Sequence, residues 1–72
     1  MSGVEREMLL AFAEADLRER GVTARVTART WMERLDADGT LESLEVVLKT
    51  RAPRRLLGVY SWSRDVGLER TG

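Results

Sequence analysis

Ten side chains carry the chemistry that this sequence can offer: the cations Arg25, Arg29, Lys49, Arg51, Arg54, Arg55 and Arg64, and the aromatics Trp31, Tyr60 and Trp62. Guanidinium and ammonium groups hold carboxylate or phosphate oxygens. Aromatic rings stack on unpaired bases or anchor protein contacts. Together these groups suit a binding surface for another macromolecule. Catalysis fits poorly, because a chain with no cysteine and no histidine has no thiolate nucleophile, no imidazole base and no common zinc ligand set. Asp36 and Asp38 in DADG lack the further acids that a calcium loop supplies at fixed spacing, and they are expected as turn residues. Gly-rich phosphate cradles and nucleophile elbows do not occur. The expectation is a non-enzymatic protein with no metal, no cofactor and no small-molecule substrate.

Seventy-two residues make a single small domain, 1–72, too short to bury both a core and a deep cleft. With 43% hydrophobic and 33% charged residues the composition is that of a globular chain. No apolar run approaches the roughly 18 residues of a spanning helix, so no membrane role is expected. The start, MSGVEREM, has acids where a secretory signal has a basic region, which predicts a cytoplasmic protein. Net charge is zero but unevenly spread: six arginines face ten acids through Glu45, whereas Val46–Arg64 holds five cations and no acid. One end of the molecule is expected to be basic.

These side chains must be placed by a helix and strands. Ser2 and Glu5 match a capping box, and Gly21 stands where a left-handed helix stop belongs, which predicts a helix over about 3–20. Met8, Leu9, Phe12, Ala13 and Leu17 supply its apolar side, Leu10 and Ala11 widen it, and Glu14 and Arg18 have the spacing of an i,i+4 pair. From Val22 the period becomes two, with Val22, Ala24, Val26, Ala28 and Met32 inward and Thr23, Arg25, Thr27, Arg29 and Glu33 outward. The turn DADG follows. Strands are predicted over about 22–34, 41–51 and 56–63, with Leu44, Val46 and Leu48 inward and Pro53 marking the second loop. The fold class is α+β: one N-terminal helix packed on a three-stranded antiparallel β-meander, in the order α-β-β-β.

Such a sheet leaves one face open. Arg25, Arg29, Trp31, Lys49 and Arg51 are expected there. The third strand allows two phases: Leu57 and Val59 inward with Tyr60 and Trp62 outward, or the reverse with Leu56 inward. Under the first phase three aromatics and several cations share the open face, a surface suited to single-stranded nucleic acid. Alternatively RTWMERLDADGTLE could end a recognition helix that leads into a wing, although too few residues follow Gly21 for a complete helix-turn-helix. The preferred expectation is a small interaction protein that binds a protein partner or itself. Its helix is apolar over a wide arc, and the edges of its short sheet invite strand addition.

The residues Asp38, Gly39, Glu45, Val46, Val47, Pro53, Leu57, Gly58 and Tyr60 follow the order of a DG turn, an EVV strand, a proline and an LG-x-Y strand. That order resembles the central segment of the gas vesicle protein O family of accessory proteins, over about a third of the chain. The resemblance implies a helix followed by strands and a role in assembling a larger protein body. The sequence departs from it at Thr40, Leu48, Arg54 and Arg55.

Overall fold

The computed structural model describes residues 3–51 and 53–72. It holds one helix, α1 (Val4–Glu19), and four strands, β1 (Ala28–Leu35), β2 (Leu41–Arg51), β3 (Arg54–Ser63) and β4 (Gly67–Arg70). The strands form one antiparallel sheet in the order β1-β2-β3-β4. The fold is thus α+β, with one strand more than the sequence predicts. No helix among the described residues is long and apolar enough to cross a membrane.

The helix ends where its residue types require. Gly21, at φ 74°, donates its N–H to the Arg18 carbonyl, and Val22 donates to Leu17, so the last carbonyls are closed by a Schellman turn. At the other end Gly3 is the cap residue and offers no side-chain cap bond. The predicted Ser2 cap lies outside the described residues. Leu9, Ala13 and Leu17, spaced four apart, are the buried line of the helix. Met8 is 41% exposed and does not join them. The i,i+4 ion pair among the described residues joins Asp16 to the C-cap residue Arg20 at 2.8 Å, in place of the predicted Glu14–Arg18.

The turn 36–39 forms as the sequence predicts. The Asp36 Oδ1 atom accepts the N–H groups of Asp38 and Thr40, and Gly39 takes φ 81°. Leu44, Val46 and Leu48 of β2 point to the helix and are at most 1% exposed. Residues 22–27, predicted as strand, are outside the sheet, although Val22, Ala24 and Val26 still pack against the core. Their alternation does not run on into β1. Thr27 donates to the Lys49 carbonyl, yet Ala28 is the Cα partner of Lys49. The irregular step puts Trp31 on the helix side, opposite Val46, and leaves Met32 60% exposed. The larger ring takes the better-covered position.

Neither predicted phase holds for β3. Leu48 pairs with Gly58 but Lys49 pairs with Leu56, so Leu57 is an extra residue in a β-bulge. The bulge lets Leu57 and Tyr60 both reach the core while Leu56 stays 56% exposed. The fourth strand, β4, returns through residues 64–66 with Gly67 at φ 86°, and Ser63 Oγ accepts the Val66 N–H. Only Leu68 in that strand is apolar, which gives period-two patterning little to detect.

Tyr60 is the hub of the packing. Its ring is 0% exposed and meets Phe12 edge to face at 5.9 Å. Its hydroxyl donates to Asp16 Oδ2 at 2.6 Å and accepts from Arg20 Nη2 at 2.8 Å. Arg20 also donates to the Leu57 carbonyl at the bulge. Helix and sheet are therefore tied by one polar cluster at the edge of the core.

The cluster predicts how stability varies with pH. The Tyr60 hydrogen bond holds the Asp16 carboxyl below its ordinary value, and backbone N–H groups of Thr40 and Asp38 do the same for Asp36. A lowered folded-state value means stability is present above the unfolded carboxylate range, near pH 4, and is lost as pH falls through the folded value. Burial pushes the Tyr60 hydroxyl up. Its contribution is present below about pH 10 and is lost as pH rises through the raised value. Chemical unfolding across pH should show losses at both ends. In Asp16→Asn the acid-side loss should shrink, and an unchanged acid limb would contradict the assignment.

Candidate anion-binding hairpin tip

The strand pairing between β2 and β3 sets Lys49 opposite Leu56, Thr50 opposite Arg55 and Arg51 opposite Arg54. Four cations are thus fixed within the last rungs of one hairpin, and Pro53, which has no backbone donor, stands in the turn. Thr50 Oγ1 donates to the Pro53 carbonyl. A fifth cation arrives from outside the sheet. The Arg51 N–H donates to Thr27 Oγ1 at 2.9 Å, and the Thr27 N–H donates to the Lys49 carbonyl at 3.0 Å. These two bonds hold segment 22–27 against the hairpin and carry Arg25 to its tip.

Two clefts flank the tip and share Thr50 and Arg51. One, of about 310 Å³, includes Ala28, Lys49 and Arg54 on the open-face side. The other, of about 570 Å³, includes Ala24, Arg25, Pro53 and Arg55. Arg25, Arg51, Arg54 and Arg55 are exposed and Lys49 is half-buried. The ion pairs among the described residues engage Arg6, Arg20, Arg64 and Arg70, and none of the five tip cations. Like charges held this close repel one another, and an anion between them relieves that repulsion.

The remaining predicted site residues lie elsewhere. Trp31, Tyr60 and Trp62 are on the helix-covered side, packed in or against the core, so the expected aromatic platform on the open face does not form. Strand pairing on both sides of Tyr60 decides this, because Val46 and Arg70 oppose it and Val46 is buried under the helix. Arg29 is opposite Leu48 on that same helix side, at the flank. Arg64 is at the far end of the molecule and pairs with Asp36 at 2.9 Å. The stretch expected to end a recognition helix is instead most of strand β1, the turn after it and the start of β2.

The far end offers a third cleft, of about 620 Å³, between the start of α1 and the β1–β2 hairpin, with Leu35, Leu41 and Trp62 in its lining. Both cations in its lining already have acid partners, Arg6 with Glu33 and Arg64 with Asp36. At opposite ends of a molecule 40 Å long, Arg6 and Arg64 at the far cleft are paired with acids, whereas the five tip cations have no acid partner among the described residues. Among the described residues no cluster of three or more acids is placed to hold a metal ion.

Nothing in the sequence marks Thr27 and Thr50, although both build the site. A threonine one or two residues from an arginine is too common a pattern to mark them. No family model, curated protein or solved structure matches this chain.

Proposed function

We propose that the protein is a small docking module whose hairpin tip binds an acidic segment of a protein partner. The observation that supports this reading most is the crowding of Arg25, Lys49, Arg51, Arg54 and Arg55 around two adjoining clefts with no counter-charge. Carboxylates suit these clefts because each arginine presents a planar fork that can take two oxygens. The rest of the molecule has no excess positive charge to draw in a long polyanion, since the net charge is zero. Stacking of bases is not supported at the tip either, because its lining contains no aromatic ring. An accessory role in assembling a larger protein body, as the gas vesicle resemblance implies, is one setting for such docking. A non-enzymatic inhibitor of a host protein is another.

The test is calorimetric titration at low salt with a peptide rich in glutamate and aspartate, beside a single-stranded oligonucleotide of equal charge. The peptide should bind the more tightly. The double variant Arg51→Glu/Arg55→Glu should weaken peptide binding about 100-fold, which is about 2.7 kcal/mol, with the melting temperature within a few degrees of the parent. Tighter binding of the oligonucleotide would favour the nucleic-acid alternative, and no binding of either would sink the docking reading.

A further inference from the structure

The edge strand β1 has a property independent of the hairpin tip. One long side of β1 pairs with β2, and the other faces no strand. Among the described residues no backbone hydrogen bond outside the β1–β2 ladder involves residues 28–35. An unpaired edge of this length is a template for strand addition. The helix packs on β2, β3 and β4, so its body does not cover β1.

The order of side chains along this edge is self-complementary. Arg29, Trp31 and Glu33 alternate on the helix side, opposite Leu48, Val46 and Leu44. Consider a second copy of β1 laid antiparallel with Trp31 facing Trp31. Arg29 then faces the second copy's Glu33, and Glu33 faces its Arg29, so each Glu33 stands between Arg6 of its own chain, at 3.2 Å, and Arg29 of the other. Thr30 faces Met32 on the other side, where Met32 is 60% exposed. Ala28 faces Arg34, which closes a symmetric seven-residue ladder just before the irregularity between Arg34 and Leu35. Shifting the centre to Arg29 or Glu33 sets like charges opposite each other. Centring on Met32 sets Arg29 against Leu35 and leaves Glu33 against Trp31, with no charge matched. A dimer axis through Trp31 keeps both helices on one side of the joined sheet.

We propose that two copies of the chain pair through their β1 edges, antiparallel and centred on Trp31, to form a continuous eight-stranded sheet. The arrangement sets the two Trp31 rings beside each other across the strands, the kind of aromatic cross-strand pair that stabilises sheets. Each ring keeps the Arg6 guanidinium above it, at 4.9 Å from the ring centre. Of the residues that line the tip clefts only Ala28 joins the ladder, and the five tip cations stay outside it, so loss of tip binding and loss of pairing are separate failures.

Sedimentation velocity of the full chain over a concentration series tests the proposal. The parent should pass, as concentration rises, from the 8.2 kDa of one chain to twice that mass. Arg29→Glu alone places acids opposite acids, and Glu33→Arg alone places bases opposite bases. Each should weaken self-association about tenfold or more. An equimolar mixture of the two should recover the dimer, because every charged position is then matched between unlike chains. Amide hydrogen exchange of the parent covers the case of a variant that does not fold: residues 28–34 should gain protection with concentration. A parent that stays monomeric at the highest concentration would overturn the proposal. So would a dimer indifferent to both single substitutions, folded variants whose mixture stays monomeric, or exchange at 28–34 that ignores concentration.

Discussion

Tyr60→Ala is expected to destabilise the domain by about 3–5 kcal/mol, the cost of emptying a buried aromatic position. Most of the stability expected for a chain of this size, about 4–10 kcal/mol, is within reach of that loss. The ring is fully buried, fills the space between α1 and β3, and meets Phe12 in an edge-to-face contact. Its hydroxyl also stands between Arg20 and Asp16. Tyr60→Phe separates the two contributions: it keeps the ring and removes only the bridge, so it should cost far less. Urea unfolding followed by tryptophan fluorescence reads both variants. Equal losses in the two would place the energy in the hydroxyl and contradict the packing account.

Gly58→Ala carries the second large effect, about 2 kcal/mol, or a fall of about 10 °C in melting temperature. A Cβ at Gly58 would stand 2.7 Å from Tyr60 Cε2 and 2.9 Å from its hydroxyl oxygen. A loose ring would swing aside, but this one is held by the helix above and by two hydrogen bonds at its tip. The clash should therefore vanish with the ring's far end. In a Tyr60→Leu background the same Gly58→Ala change should cost less than half as much, a coupling that a double-mutant cycle measures directly. A full cost in both backgrounds would place the effect in the backbone instead.

These two residues also mark the limit of what the sequence discloses. Gly21 and the DADG turn are local signals, and both elements end where the residues say. Leu44, Val46 and Leu48 are likewise legible, because a strict alternation in one strand needs no partner to interpret it. The phase of β3 is not legible, since the bulge at Leu57 depends on which residues of β2 lie opposite. Two adjacent leucines followed by glycine permit either reading. The same holds for Trp31, whose side of the sheet is set by the irregular step at Thr27, a long-range bond to Lys49. The open aromatic face expected from the sequence rested on both phases.

The candidate site was more visible than the sheet that carries it. Arg51, Arg54 and Arg55 flank a proline between two apolar runs, and a hairpin tip is the natural result. Arg25 joins them only because Thr27 is tied to Lys49 and Arg51, a bond pattern that tertiary structure alone supplies. The fourth strand is not legible in the sequence, because one apolar residue in four is a weak periodic signal. Its short ladder nevertheless brings Arg70 to 3.8 Å from Asp16, beside the Tyr60 cluster.

The central claim is that an acidic protein segment docks on the β2–β3 hairpin tip. Amide chemical-shift mapping of the labelled protein during titration with a Glu/Asp-rich peptide tests it most directly. The shifts should concentrate at residues 24–28, 49–51 and 54–55, the two clefts and the segment pinned to them. Shifts concentrated instead around Leu35, Leu41 and Trp62 at the far cleft, or none at low salt, would contradict it.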